Sequence, residues 1–305
     1  MAEISFKDRV AIITGAGNGL GKSHAFELAK RGAKVVVNDL GSARDGSGGS
    51  AGPAEEVANH INASGGEAIA DYANVTKDDE VKAMVAAAMD KWGRVDILIN
   101  NAGILRDKSF HKMDMEDFRT VIDVHLIGSA LCSHTVWPIM REQGGGRVLF
   151  TSSPSGLFGI FGQANYGAAK AGMIGMMNAL HLEGIKHNIR VNALSPSAKT
   201  RMTEDLGFPP ELLDSWTPES ITAAALFLVS DDAPSRTIIT CVGGGYAVAQ
   251  MAQTDGVFLP TDKQTPEAIA DHWNQISDQK DSFFFGDSNA NFAHFLGKAE
   301  TYNAK

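Results

Sequence analysis

The sequence predicts an α/β protein: a doubly wound, seven-stranded parallel sheet with helices on both faces, plus a C-terminal extension. Three observations predict it. Short Val/Ile-rich runs alternate with longer amphipathic stretches. Those runs are nearly continuous, as strands covered on both faces are. The first of them opens into a glycine-rich turn that leads straight into a helix. Regular strand–helix alternation gives parallel neighbours joined by right-handed crossovers.

The strand runs, in order, are Val10–Thr14, Lys34–Asn38, Glu67–Tyr72, Val95–Asn100, Arg147–Thr151, Arg190–Leu194 and Ile238–Val242. Helical patterns fall between them at Gly21–Arg31, Ala54–Ser64, Asp78–Trp92, Met115–Arg141, Asn165–His187 and Pro218–Ser230. Two stretches break the rhythm. Gly41–Pro53 carries five glycines in thirteen residues and reads as a flexible loop inserted after the second strand. Met251–Lys305 lies beyond the last strand, and there Thr265 and Pro266 start a helix as cap and first-turn proline. Ile269, Trp273 and Ile276 give that helix an apolar stripe, and Phe283–Phe285, Phe292 and Phe295 add apolar surface. The expected division is a main domain over 1–250 and an extension over 251–305 that packs on the domain or on a partner subunit.

Composition narrows the function. A chain of 305 residues buries a sizeable core without covalent staples. Its two cysteines, Cys132 and Cys241, argue against a disulfide framework and suit a reducing compartment. A formal charge of −9 argues against a nucleic-acid partner. The start, MAEISFKDRV, has no apolar core of a signal peptide, and the last residues lack a peroxisomal ending. No apolar run reaches the ~18 residues of a membrane span, so a cytoplasmic protein is expected. The nine histidines include no HExxH and none clusters with cysteine, so no metal is expected.

The glycine turn reads Thr14-Gly15-Ala16-Gly17-Asn18-Gly19-Leu20-Gly21. Glycines let backbone approach a pyrophosphate, and the first-turn N–H groups of the helix receive its oxygens. Gly15, Asn18, Gly19, Leu20 and Gly21 are therefore candidate cofactor residues. The second strand ends at Asn38-Asp39-Leu40. An acidic residue about 20 positions past the glycines takes the ribose hydroxyls of NAD. Asp39 would repel a 2′-phosphate by on the order of 4 kcal/mol at close range. No Arg or Lys stands at 38–40 to offset that, so NAD is favoured over NADP. The third strand leads to Asn74 and Val75, beside the expected adenine, and the fourth to Asn101, Ala102 and Gly103, whose small size lets a ribose lie on the backbone.

Chemistry is carried by Ser153-x12-Tyr166-x3-Lys170. The x3 gap puts Tyr166 and Lys170 on one helical face. An ammonium roughly 4 Å from a phenol attracts the phenolate by on the order of 4 kcal/mol at an effective dielectric of about 20. That corresponds to about three pKa units, enough to bring a phenol from ~10 towards neutrality. A phenol so tuned acts as general base towards an alcohol.

Taken together, TGxxxGxG, NNAG, Ser-x12-Tyr-x3-Lys and Pro196 resemble the short-chain dehydrogenase/reductase family, over about residues 14 to 200. The resemblance implies a Rossmann fold and an NAD-dependent secondary-alcohol dehydrogenase. It implies that Tyr166 is the acid/base, Ser153 holds the substrate oxygen, and Lys170 tunes the tyrosine and binds the nicotinamide ribose. Ser152 and Ser155 are alternatives to Ser153 that lack its offset from Tyr166. Pro196, Ala198, Lys199 and Thr200 border the nicotinamide in the same reading. Where the family often has a catalytic Asn, this chain has His125, whose backbone carbonyl or ring would serve the proton relay.

A closer resemblance covers nearly the whole chain. VVNDLG with its glycine-rich insert, NNAGILRDKSF, GQANYGAAKAG, RMT and TPEAIADHW are similar to the (3R)-hydroxyacyl-CoA dehydrogenase units of peroxisomal multifunctional enzymes type 2, also called 17β-hydroxysteroid dehydrogenases type 4. This implies a free-standing, bacterial form of that unit acting on a (3R)-3-hydroxyacyl-CoA. A free hydroxysteroid is the runner-up substrate. A non-catalytic NAD sensor is a third reading, which the presence of both Tyr166 and Lys170 disfavours. Arg106, Lys108, Lys112, Lys199 and Arg201 are candidate cations for CoA phosphates. The resemblance also implies a homodimer or tetramer, with Met115–Arg141 and Asn165–His187 at the subunit face.

Overall fold

The computed structural model describes residues 3–198 and 216–303, so Lys199, Thr200 and Arg201 lie outside the described residues. The chain divides into two compact units, Met1–Val248 and Ala249–Lys305.

The first unit is built on one sheet. Its strands are β1 (Val10–Thr14), β2 (Lys34–Asn38), β3 (Glu67–Asp71), β4 (Ile97–Asn100), β5 (Gly146–Thr151), β6 (Ile189–Ser197), β7 (Ile238–Val242) and β8 (Gly245–Ala249). They lie in the order β3-β2-β1-β4-β5-β6-β7-β8. Every residue of β1, β4 and β5 is buried. This explains their unbroken apolar sequence: both faces are covered by helices, so no position needs a polar side chain. Ile12, Ile13, Leu98, Ile99, Leu149 and Phe150 are fully shielded from solvent, each such side chain contributing about 1.5–3 kcal/mol. Pairing is parallel from β3 through β7, for example Ile12↔Val36, Ile12↔Leu98 and Leu98↔Val148.

The chain reverses direction across the sheet between β1 and β4. That switch point opens a crevice at the carboxyl ends of the strands, where ligands of such sheets sit. The helices on the two faces are α1 (Gly19–Lys30), α2 (Gly52–Ala63), α3 (Asp78–Trp92), α4 (Met115–Ile122), α5 (Gly128–Gln143), α6 (Pro154–Phe158), α7 (Ala164–Gly184) and α8 (Pro218–Leu228).

Three features depart from the sequence reading. First, the seven parallel strands gain an eighth. Gly243 (φ 50°) and Gly244 (φ 84°) make a two-residue turn with both φ positive, which folds β8 back antiparallel on β7. Second, the helix expected over Met115–Arg141 is interrupted. Residues Asp123–Ile127 form a wide π-turn in which the Gly128 N–H reaches the Asp123 carbonyl. Third, the glycine-rich insert is not free. The Leu105 N–H donates to the Arg44 carbonyl (2.9 Å), and Arg106 Nε donates to the Asp45 carbonyl (2.9 Å). Backbone groups make or receive both bonds, so residue types alone do not announce them.

Helices α1 and α8 meet at a buried polar contact. His24 has no exposure, and its Nδ1 lies 2.8 Å from Thr222 Oγ1. Burial pulls the His24 imidazole down to about 3 from 6.5. The unfolded chain therefore takes up this proton first as pH falls. The associated stability is whole above about pH 6.5 and declines by about 1.4 kcal/mol per pH unit down to about pH 3. In urea titrations at pH 7 and pH 5, His24→Gln is expected to lose stability less steeply than the native protein on acidification. Equal slopes would rule the assignment out.

The second unit has short helices at Pro266–Asp271 and Trp273–Ile276, a 16-residue helix at Ser288–Asn303, and an antiparallel bridge between Gln253 and Phe283. Thr265 caps the first of these by accepting from the Ala268 N–H (3.2 Å). The stripe of Ile269, Trp273 and Ile276 is broken at His272, whose ring Nδ1 lies 2.8 Å from the Ala268 carbonyl. Phe283, Phe285 and Phe295 gather around His294. Among the described residues, no helix is long and apolar enough to cross a membrane.

Candidate active site

The glycine turn is held by two side chains from neighbouring strand ends. Asn101 Nδ2 donates to the carbonyls of Thr14 (3.1 Å) and Gly15 (3.0 Å). Thr14 Oγ1 accepts from the N–H groups of Asn101 (3.0 Å) and Ala102 (3.1 Å). Gly15 is left-handed, with φ +65°, and a Cβ there would lie 2.8 Å from the Ala102 backbone. Asn18 precedes α1 in extended conformation and makes no side-chain cap. The helix's first N–H groups thus remain available to an anion.

Asp39 follows β2 and faces this turn. Its carboxylate accepts from the Gly17 N–H (2.8 Å) and the Gly41 N–H (2.7 Å). A carboxylate has lone pairs left for two hydroxyls. Asn38, buried beside it, donates to Asp71 (2.7 Å) and to the Ala73 carbonyl (3.0 Å), which fixes the end of β2 against that of β3.

These groups open on a cavity of about 670 Å³, within the range of small-molecule sites. Gly15, Asn18, Gly19, Leu20, Asp39, Leu40, Asn74, Val75, Asn101, Ala102 and Gly103 all line it. Gly21 does not; it lies beneath the turn, where a Cβ would sit 2.3 Å from the Gly15 carbonyl oxygen. The sequence reading missed Ser42, Ala43, Arg44 and Gly46 on one wall and Thr120, Asp123, Val124 and Ile127 on the other. The glycine-rich insert was the available signal for the first set. Asn74 is partly committed elsewhere, since its Oδ1 accepts from the Thr76 N–H (3.0 Å) and hydroxyl (2.8 Å).

Ser153, Tyr166 and Lys170 converge beyond the Gly103 end of this cavity. Ser153 caps α6, accepting from the Ser155 N–H (3.1 Å), and its hydroxyl lies near enough to the Tyr166 phenol to favour the phenolate. Ser152 is turned away, with its hydroxyl on the Lys170 carbonyl (3.0 Å). The Ser155 hydroxyl is buried with no partner among the described residues. Of the three serines, Ser153 is the one that meets the tyrosine. Lys170 Nζ donates to the Thr151 carbonyl and stands 5.4 Å from the centre of the Tyr166 ring.

The electrostatics correct the simple Coulomb expectation. Burial pushes the Tyr166 phenol up to about 12, against a smaller downward pull from the Ser153 hydroxyl. Burial also draws Lys170 down to about 7. The ammonium sits over the ring face, Lys170 is buried and Tyr166 is half-buried. Desolvation penalises each charged form and here outweighs the attraction.

His125 lies within the π-turn and is buried. Its Nε2 is 3.0 Å from the Ile104 N–H and 2.8 Å from the Ile104 carbonyl, serving one or the other by tautomer. The ring packs edge-on to Tyr166 at 5.1 Å between centroids. Burial, and then the nearby Lys170, hold this imidazole well below its usual range. The ring is therefore neutral at physiological pH. Its backbone carbonyl already accepts from the Ser129 hydroxyl (2.6 Å). Gly103 is required beside it, because a Cβ there would lie 2.2 Å from the imidazole.

Pro196 is part of β6, opposite Cys241 on β7, and Ala198 is buried just past the strand. The proposed phosphate cations fare less well: Arg106 and Lys108 both pair with Asp117 (3.1 Å each). Asp117 draws both side chains to itself, because a carboxylate between two cations satisfies all three. Lys112 is exposed.

The family model for the short chain dehydrogenase matches residues 9–208. The chain belongs to the short-chain dehydrogenase family. Among relatives of this short-chain dehydrogenase is the peroxisomal hydratase-dehydrogenase-epimerase of Saccharomyces cerevisiae, 46% identical over 284 residues, which are 92% of this chain and 31% of that protein. The chain thus spans about a third of that relative's length. Among solved structures, full-length peroxisomal multifunctional enzyme type 2 from Drosophila melanogaster superposes with a TM-score of 0.81 at 32% identity, over 98% of this chain and 50% of that one. A 7α-hydroxysteroid dehydrogenase complexed with NADH and 7-oxo glycochenodeoxycholic acid superposes with a TM-score of 0.71 at 33% identity, over 79% of this chain and 95% of that one. The chain is accordingly an oxidoreductase with a Rossmann-type fold.

Proposed function

We propose that this short-chain dehydrogenase interconverts a (3R)-3-hydroxyacyl-CoA and the 3-ketoacyl-CoA, with NAD as cofactor. The observation that carries the proposal is the Tyr166 phenol, set beside Ser153 and backed by Lys170, beyond one end of a cavity whose other end holds Asp39. The residues present fit a dinucleotide. Gly15, Asn18, Gly19 and Leu20 would meet the pyrophosphate, and Asp39 the adenosine ribose. Asn101 to Gly103, Pro196 and Ala198 would border the nicotinamide half. NAD, when bound, supplies the acceptor for the carbinol hydride.

Four side chains then divide the work. Ser153 orients the substrate oxygen and stabilises charge on it. Tyr166 takes the hydroxyl proton in oxidation and returns it in reduction. Lys170 supports the phenolate and would hold the nicotinamide ribose. His125 positions the tyrosine ring and the Ile104 backbone. The acyl-CoA substrate is supported by the similarity to the yeast and Drosophila enzymes named above. The second reading, a hydroxysteroid, is supported by the 7α-hydroxysteroid dehydrogenase. Steady-state rates with NAD on (3R)- and (3S)-hydroxyacyl-CoAs and on free hydroxysteroids decide between them. The (3R)-thioester should lead by kcat/KM, and preference for the CoA-free alcohol reverses the ranking.

The cofactor choice makes its own prediction. With Asp39 at the ribose, kcat/KM for NADP should fall at least about a hundredfold below that for NAD, the scale of one close charge repulsion. Asp39→Asn should narrow the gap mainly through KM for NADP. Equal use of both cofactors by the native protein would refute the assignment. We also propose a cytoplasmic homodimer joined through α5 and α7, which sedimentation at micromolar concentration tests; a monomer there would exclude it.

A further inference from the structure

We propose that residues 41–50 form a hinged clasp over the adenosine half of the bound dinucleotide, and that Arg106 is its latch. The proposal rests on the NAD reading above. The segment has the form of an Ω-loop, compact with its ends together. At the neck the Ser50 N–H donates to the Leu40 carbonyl (3.1 Å). Gly41 lies so close to Ser50 that a Cβ would sit 1.9 Å from the Ser50 carbonyl oxygen. Asp39 ties this neck to the glycine turn by accepting from both Gly41 and Gly17. At the tip the Ala43 N–H meets the Ser47 carbonyl (2.8 Å), and the Asp45 carboxylate accepts from Ser47.

The tip lands on the far side of the cavity. The Leu105 N–H holds the Arg44 carbonyl and Arg106 Nε holds the Asp45 carbonyl, at 2.9 Å each, while Gly46 rests on Ile104. The cavity runs beneath, with Gly15 and Asn18 on its floor side and Ser42, Arg44 and Gly46 in the clasp. The Leu105–Arg44 and Arg106–Asp45 bonds and the packing of Gly46 on Ile104 lie outside the sheet, so the tip can lift without unfolding it. Arg106 is fixed from behind: its guanidinium also meets Asp117 (3.1 Å), and its carbonyl accepts from Asn165 Nδ2 (3.0 Å), next to Tyr166. A nucleotide lying in the cavity would be covered until this latch opens. Arg106 is thus a positioning residue, acting through the loop backbone.

NADH release tests this on the full chain. Stopped-flow fluorescence would follow displacement of NADH from the native protein, from Arg106→Gln, and from a variant lacking Arg44 to Gly46. Loss of one charge-assisted bond should speed release by about tenfold or more. Kd for NADH and for ADP-ribose should rise with it, while Kd for nicotinamide mononucleotide should not. The deletion keeps the Arg106–Asp117 pair, so it guards against misfolding of α4 in the first variant. Release within twofold of native in both variants overturns the clasp. Native protein that binds no NADH overturns the cofactor reading itself.

Discussion

Replacing Tyr166 by Phe should lower kcat/KM by about a hundred- to ten-thousand-fold, the usual contribution of a positioned acid/base, while NADH binding stays near native. Phe keeps the ring that packs against His125 and removes only the oxygen beside Ser153. The loss should therefore appear in the chemical step and not in cofactor affinity. Direction matters too. With the phenol pushed up to about 12 and Lys170 drawn down to about 7, the pair rests near neutrality with a protonated tyrosine. Reduction uses that proton and oxidation must remove it. The pair gives up one proton as pH passes about 7, and the proton left can sit on the Lys170 amine and leave a phenolate, so oxidation should climb between about pH 6 and pH 9 while reduction does not fall over the same span. A Tyr166→Phe enzyme with more than a tenth of native activity, or a flat oxidation profile, would end the mechanism.

Gly21→Ala should be nearly as damaging by a different route. The added Cβ would meet the Gly15 carbonyl oxygen at 2.3 Å and Asn101 Nδ2 at 2.7 Å. Both belong to the clamp that shapes the phosphate turn. Overpacking of this kind costs about 1–3 kcal/mol, and the turn must deform to relieve it. Dinucleotide affinity is expected to drop about tenfold or more, with a lower Tm. Gly297→Ala is the contrast: nothing lies within 4 Å of its added Cβ, and helix propensity predicts a gain of about 0.5–1 kcal/mol. Titration of NADH into both variants, with melting curves, checks the pair. Native affinity in Gly21→Ala would show that the turn tolerates the methyl group.

Much of the fold was legible because burial on both faces leaves its mark on composition. Val10–Thr14, Lys34–Asn38, Asp78–Trp92 and Ile238–Val242 have the bounds read from the sequence. The glycine turn was legible because few residues other than Gly accept both the left-handed backbone and the close approach. Other features left no such mark. Val124-His125-Leu126-Ile127 reads as ordinary helix, and the π-turn there depends on how α4 and α5 must each meet the sheet. The clasp is held largely by backbone carbonyls, which every residue has. The tyrosine's acidity was misjudged because spacing gives an approximate distance but no measure of desolvation. At a site this dry, desolvation is the larger quantity.

The wide turn at Asp123–Ile127 also limits how this chain can change in length. An α-helix rotates about 100° per residue, and a turn carrying one extra residue offsets α4 from α5 by about that angle. Deleting any single position from 123 to 127 would restore continuous coiling and swing α4 around its axis, carrying Asp117 away from Arg106 and unseating His125 from Ile104. Insertions and deletions accumulating in related sequences should therefore avoid this five-residue window, even where they leave the neighbouring turns untouched.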